Sequence, residues 1–251
     1  MADVRQLRKR LRLIKFVFEN RSKGFFKCPA CKYWGPFKDV KPPTGLRKDA
    51  KCPKCESLER HRIQYLVMKQ LMEDRDVRNL RMLHFAPEPF LKGLFSQRFG
   101  SYETAHLKRP GVDCKVDIQN LPFRDGSYDF IFASRVLEHV VNDGQGLKEI
   151  RRVLRPNGIA VLPVPILALR TVEYPEPNPK EEYHVRAPGM DYFERYARHF
   201  ARVEKFRSDS LPPKYQLYIR EDRSVWPTED CPLRPPMFGE KHVDVVPVCY
   251  V

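Results

Sequence analysis

The sequence predicts an α/β fold: a doubly wound, mostly parallel sheet with a small cysteine-bearing module ahead of it. Three observations predict it. From Leu80 onward, short apolar runs alternate with stretches of helical period. Strands joined through helices must use crossovers, and crossovers place helices on both faces of parallel strands. Four of the seven cysteines fall into two CxxC pairs within the first 56 residues, while the whole chain of 251 residues is 42% apolar, enough to bury one α/β core and an appendage.

Taken in order, residues 5–18 read as a helix, because Leu7, Leu11, Ile14 and Phe18 fall on one stripe, surrounded by Arg5, Arg8, Lys9, Arg10, Arg12 and Lys15. Three uses of that helix stay open: docking on the protein's own core, contact with an anionic partner, or a targeting or membrane-surface role. Residues 25–56 are rich in turn formers. A second helix follows over 57–73, with Ser57 as its cap and Leu58, Ile63, Leu66, Val67 and Leu71 as its apolar face. Strands are expected at 80–85, 102–107, 114–118, 128–134 and 159–165. Pro89 opens one helix, and another spans 146–154 until the RPNG turn breaks it. A further helix is expected at 192–200, and 200–206 and 214–220 as two closing strands. The division is then 1–56, basic helix plus cysteine module; 57–79, connecting helix; 80–223, α/β domain; and 224–251, a Pro-rich irregular tail.

Charge is unevenly spread. Residues 1–80 hold 21 Lys and Arg against 9 Asp and Glu, whereas residues 81–251 hold 25 against 23. A basic block of this kind attracts polyanions such as RNA, an anionic membrane surface or an acidic protein; the competing account is a solvated face. The longest apolar run, 159–169, is too short to span a bilayer and contains Pro163 and Pro165. With no signal-peptide pattern at the start, a soluble, cytoplasmic protein is expected.

The cysteine pairs read CPAC (28–31) and CPKC (52–55), separated by twenty residues. Two such knuckles can present Cys28, Cys31, Cys52 and Cys55 tetrahedrally to one Zn²⁺. All four places would be filled by thiolates, so the ion would be structural. Lys27, Lys32, Lys51 and Lys54 flank the knuckles and would offset a centre of formal charge −2. A redox dithiol or two unrelated buried pairs are the alternatives. Phe25, Phe26, Tyr33, Trp34 and Phe37 serve either as the module's own core or as stacking surfaces for bases.

Three segments carry a resemblance: MLHFAPEPFL (82–91), LPFRDGSYDFIFASRVLEHV (121–140) and LKEIRRVLRPNGIAVLPVP (147–165). Together they resemble class I S-adenosylmethionine-dependent methyltransferases, in the branch called methyltransferase type 11. The resemblance covers about residues 80–206 and implies a Rossmann-like sheet that binds S-adenosylmethionine at its strand ends. It places His84, Phe85, Ala86 and Glu88 at the turn under the cofactor's amino-acid end, and His106 and Leu107 near the ribose. Asp117 would accept from the adenine amino group and Ile118 would cover the ring, with a turn cap as the alternative role for Asp117. Ser134, Arg135 and Val136 would lie near the methyl-bearing sulfur. Two positions depart from the family pattern: HFAPEP replaces a Gly-rich turn, and His106 stands where an acidic residue usually holds the ribose. Methyl transfer is an in-line displacement that needs a base only for a protonated acceptor. Glu138, His139 and His184 are the candidate catalytic residues, with Arg186 as an anion anchor. Two functions are carried forward: an active methyltransferase whose acceptor includes RNA among the candidates, and a non-catalytic zinc-ribbon module for nucleic acid or protein with a degenerate methyltransferase domain.

Overall fold

The computed structural model describes residues 2–251, with side chains from residue 6 onward, so the part assigned to Arg5 lies outside the described side chains. Seven strands form one sheet: β1 (Arg81–Phe85), β2 (Ser101–His106), β3 (Cys114–Lys115), β4 (Tyr128–Ala133), β5 (Leu154–Val161), β6 (Arg202–Arg207) and β7 (Val245–Tyr250). Their spatial order is β6-β7-β5-β4-β1-β2-β3. Every neighbouring pair is parallel except β7, which runs antiparallel to both β5 and β6. This is a Rossmann-like, doubly wound sheet. The order of strands reverses between β1 and β4, and there the crossovers part and leave a crevice outside the strand ends.

The helices are α1 (Ala2–Glu19), α2 (Glu59–Glu73), α3 (Pro89–Phe95), α4 (Asp143–Val153) and α5 (Glu194–Ala197). Strands β1 and β4 are apolar on both faces because both faces are covered. On one side Leu83, Ile131 and Ala133 meet Leu147, Ile150 and Val153 of α4. On the other, Met82, Phe130 and Phe132 meet Ile63, Val67 and Leu71 of α2, and Leu91 and Phe95 of α3. Helix α2 is thus part of the main core and more than a connector.

The cysteine module consists of two small hairpins, Phe26–Lys27 with Trp34–Gly35 and Lys38–Val40 with Arg47–Lys51. Phe37 stacks with Tyr33 and tilts against Phe26, so these rings form the module's core; Trp34 and Phe25 stay exposed. Leu13 and Val17 of α1 pack against this cluster. The stripe Leu7, Leu11, Ile14 and Phe18 is exposed, so of the three uses left open it does not dock on the protein's own core. The helix rests on the module by an adjacent face.

Three further expectations are corrected. Ser57 does not cap α2: the N-cap is Leu58, and the buried Ser57 hydroxyl lies among the thiols, 3.5 Å from Cys28 Sγ and 3.2 Å from Cys55 Sγ. The helix expected at 192–200 is a 3₁₀ turn, Met190–Phe193, leading into the short α5. Residues 214–220 form no strand. The last strand is β7, from the segment assigned to an irregular tail, and it enters the sheet between β5 and β6. Val245, Val246, Val248 and Cys249 are fully buried there, so residues 224–251 include a structural strand of the domain.

One side chain joins the parts. Arg62 of α2 is fully buried, and its guanidinium donates to five backbone-carbonyl contacts. These reach Ala50 and Ser57 in the module and Tyr215 and Gln216 in the C-terminal half, while the group lies 4.5 Å from the Phe37 ring centre. We expect Arg62→Met to strip these carbonyls of their donor and cost about 3 kcal/mol or more in urea unfolding. A loss below about 0.5 kcal/mol would show that the junction holds without it.

Candidate functional site

A cavity of about 950 Å³ opens at the C-terminal ends of β1, β2 and β4. Strand ends make its floor, through Phe85, Ala86, His106, Asp117, Ser134 and Arg135. One wall comes from the cysteine module, through Val40, Pro42, Thr44 and Arg47. The remainder comes from the C-terminal half, where Ile219, Glu221, Arg223 and Arg234 line it. Sequence reasoning missed both of these contributions. A signal for the second was present, since the supposed tail contains VVPVCY, an apolar run of strand length.

The turn after β1 lacks glycine yet adopts the backbone that glycine usually supplies. Ala86 sits at φ 47°, in the left-handed region, and Glu88 caps α3 with Pro89 at its first turn. Arg135, after β4, is at φ 58°. Both ends of the switch point therefore carry left-handed residues. That conformation costs about 1–2 kcal/mol for a residue with a Cβ.

Glu88 is held by α2. Arg60 donates to its Oε1 at 2.6 Å, and His61 Nε2 lies 3.0 Å from the same oxygen. Burial pushes the Glu88 carboxyl up, but His61 and Arg60 outweigh it and hold it well below the usual carboxylate range. Oε2 is buried with no partner. Gln64, also on α2, donates to Ser134 Oγ at 2.9 Å, so one helix braces both sides of the switch point.

At the end of β2, His106 Nδ1 accepts the backbone amides of Lys108 and Arg109, each at 3.0 Å. That nitrogen is thereby unprotonated, and the ring proton sits on Nε2. Burial, followed by Arg109 and His139, lowers the imidazole's pKa and favours this neutral form. His106 is a donor where a carboxylate would be an acceptor. Asp117 lines the cavity and also accepts the Gln119 amide at 2.9 Å, so lining and turn-capping coexist in one side chain. Ile118 and Val136 line the cavity and pack on the core, and Leu107 lies exposed at the rim.

His84 is the exception among the expected cofactor residues. It lies away from the cavity, buried among Phe95, Tyr102 and Phe132, with Nδ1 2.7 Å from the Tyr102 hydroxyl. Alternation along β1 explains this: Phe85 turns one way and His84 the other.

Glu138, His139 and His184 come together on the cavity wall, with one ligand atom of each within 4.8 Å of the others. Glu138 is fully buried, and neither of its oxygens has a hydrogen-bond partner. Burial raises its pKa. His184 is pushed down to about 2, mainly by burial and then by its neighbours His139, Arg234 and Arg135. Arg186 is not the free anion anchor expected from the sequence. It is buried and donates to the carbonyls of Leu137, Val140 and Val141, with Glu173 accepting at its Nε, so it clamps the turn that carries Glu138 and His139.

In the cysteine module the two knuckles are near copies. Cys28 and Cys52 each accept from the amide four residues on, at 3.0 and 2.9 Å, and each donates to the carbonyl five residues on, at 2.8 and 2.9 Å. Lys32 and Glu56 close the loops at φ 61° and 62°. The four Sγ atoms lie within 4.8 Å of one another, with Cys28–Cys55 at 3.5 Å and Cys31–Cys52 at 3.6 Å. The edge of a tetrahedron with Zn–S bonds of about 2.3 Å is about 3.8 Å, so this donor set fits one zinc ion with little adjustment.

Parts of the chain are similar to known proteins. Residues 96–162 match the family model described as a methyltransferase domain. An uncharacterized 37.1 kDa protein of transposon TN4556 from Streptomyces fradiae is 44% identical over 68 residues, 27% of this chain and 20% of that protein. An uncharacterized methyltransferase of Mycobacterium marinum is 43% identical over 58 residues, 23% of each chain. The chain thus spans about a fifth of the length of these curated relatives. Among solved structures, an S-adenosylmethionine-dependent methyltransferase of Mesorhizobium loti aligns at 15% identity and TM-score 0.48, over 74% of this chain and 97% of that one. The 1,6-didemethyltoxoflavin-N1-methyltransferase of Burkholderia thailandensis aligns at 14% identity and TM-score 0.48, over 75% and 76%.

The buried His84 makes stability depend on pH. Burial pushes its pKa down to about 3, below the unfolded value of about 6.5. The unfolded chain then binds more protons in mild acid, so this contribution is complete above about pH 6.5 and is lost as pH falls toward the folded value. Between pH 7 and pH 5, urea unfolding of the native chain should lose about 2 kcal/mol more than that of His84→Gln. Equal losses would show that His84 is not held neutral.

Proposed function

We propose that this chain, which carries a methyltransferase domain, binds S-adenosylmethionine at the β1–β4 switch point and transfers its methyl group to an acceptor held in the same cavity. The observation that carries the reading is the position of that cavity, over the strand ends of a methyltransferase-type sheet, at the site where such sheets bind ligands. Ala86 and Glu88 would face the amino-acid end of the cofactor, His106 Nε2–H would donate to a ribose hydroxyl, and Asp117 would accept from the adenine amino group beside Ile118. Ser134, Arg135 and Val136 border the methyl-bearing sulfur in this placement. The sulfonium is the electrophile, so the protein's task is to align the acceptor in line with the S–CH₃ bond and to exclude water. Glu138, His139 and His184 are the polar groups that face the acceptor.

For the acceptor, the basic N-terminal third supports a polyanion, with RNA as the leading candidate. Helix α1 presents Arg8, Lys9, Arg10 and Arg12 as exposed side chains. The organisation that follows is a zinc-bearing module fused through α2 to a methyltransferase domain that extends to β7. Among the described residues no helix is long and apolar enough to cross a membrane.

Calorimetry with S-adenosylmethionine tests the cofactor placement. We expect binding by the native chain and a loss of about 1.5–3 kcal/mol in Asp117→Ala, the cost of a hydrogen bond to a charged group. Equal affinity in the variant removes the adenine role from Asp117. A native chain that takes up no cofactor would favour the other function, a ribbon-based binding module with a degenerate domain.

Metal analysis tests the ribbon. The ribbon is expected to hold one zinc per chain, so the Cys28→Ser, Cys52→Ser double variant should contain one zinc fewer than the native chain. Because the module forms a cavity wall, its loss should also weaken cofactor binding measurably. Purified protein without zinc would end this assignment.

A further inference from the structure

We propose that Glu138, His139 and His184 form a second metal site, distinct from the four-cysteine cluster, which holds a first-row divalent ion such as Zn²⁺, Co²⁺ or Fe²⁺ on the cavity wall. The geometry supplies two imidazoles and one carboxylate with their ligand atoms within 4.8 Å of one another, and the two rings stand nearly perpendicular, 83° apart. Three protein ligands would leave at least one coordination position open, and all three residues line the cavity; an open position distinguishes a reactive ion from a structural one.

An independent observation points to a missing cation. Both Glu138 oxygens and His184 Nδ1 are buried and lack any hydrogen-bond partner among the described residues. An ionised carboxylate in that state has lost its hydration without gaining a partner. A dication held by one atom from each of the three residues would give Glu138 a buried partner of opposite charge. Nearby cations do not do so: Arg234 is paired with Glu181, and Arg135 has no carboxylate within salt-bridge distance.

The support for the ligands is already rigid. Arg186 shares a strand with His184 and donates to the carbonyls of Leu137 and Val140, which flank Glu138 and His139 in sequence. One side chain therefore locks the two ligand-bearing segments together, as outer groups do in built metal sites. Only one of the three ligands is an oxygen donor, which disfavours Mg²⁺ and Ca²⁺ because they depend on many oxygen ligands. Imidazole ligands favour the later first-row ions. Resting on the methyltransferase reading, the open positions would take an acceptor oxygen or nitrogen, and Arg135 would neutralise an anionic group beside it.

The test is a Co²⁺ titration of protein that retains its ribbon zinc, without S-adenosylmethionine. We expect one further equivalent per chain, with weak visible bands and no thiolate-to-cobalt charge transfer, since cobalt on the cysteines would reveal itself by that absorption. His139→Gln and His184→Gln, on different segments, should each bind Co²⁺ at least tenfold more weakly while keeping ribbon zinc and native unfolding behaviour. No uptake beyond the ribbon, or uptake undiminished in both variants, overturns the proposal. Because the titration omits the cofactor, its failure leaves the cofactor placement standing, and failure of cofactor binding leaves cobalt uptake unaffected.

Discussion

The guanidinium of Arg62 sits where three pieces of chain meet, and the cavity exists because they meet there. A buried arginine without a direct carboxylate partner is costly, and here the cost is offset by backbone carbonyls from both sides. The charge has a second balance. The four cysteines lie close by, and thiolates there would favour the charged guanidinium, as would Glu59. A tetrathiolate zinc centre carries formal charge −2, so a buried cation beside it is an electrostatic complement. With zinc held by the four cysteines, junction and module would be energetically coupled.

From that junction the rest of the wall follows. The hairpin 38–51 is tied to residues 216–221 through Thr44 to Glu221, Asp49 to Arg220 and Gln216 to the Asp49 carbonyl. Helix α2 then reaches the opposite side of the cavity, gripping Glu88 and Ser134. The result is a site whose floor is a parallel sheet and whose wall is a cysteine module, with nearly every lining carboxylate or guanidinium engaged. Among the buried lining carboxylates, Glu138 stands out because neither of its oxygens has a partner, and it adjoins His184.

Much of the sheet was legible in the sequence because its strands are short apolar runs bounded by turn formers. The knuckles were legible because CxxC spacing has few other uses. What could not be read had identifiable causes. Periodicity placed Leu7, Leu11, Ile14 and Phe18 on one stripe of α1, but period alone does not say which side of a helix meets its neighbour, and Leu13 and Val17 do so instead. Proline content disguised β7, although Pro247 lies within a strand whose last three residues, Val248, Cys249 and Tyr250, pair on both sides. His84 was assigned to the cofactor because it adjoins Phe85, when the two-residue repeat of a strand sends neighbours to opposite faces. Arg186 looked like a free cation, and only the fold shows three carbonyls closing around it.

The composite wall separates two kinds of heredity within one chain. Residues that hold the sheet's strand ends in shape lie in 81–161, whereas much of what an acceptor would touch comes from 40–47 and 219–234. Substitutions in those outer segments can reshape the mouth of the cavity while β1, β2 and β4 keep their pairing. Matched relatives share only short stretches of this chain, and the family match covers 96–162 without either outer segment. The shape of the cavity's mouth is thus set by loop packing, a looser constraint than the strand pairing beneath it.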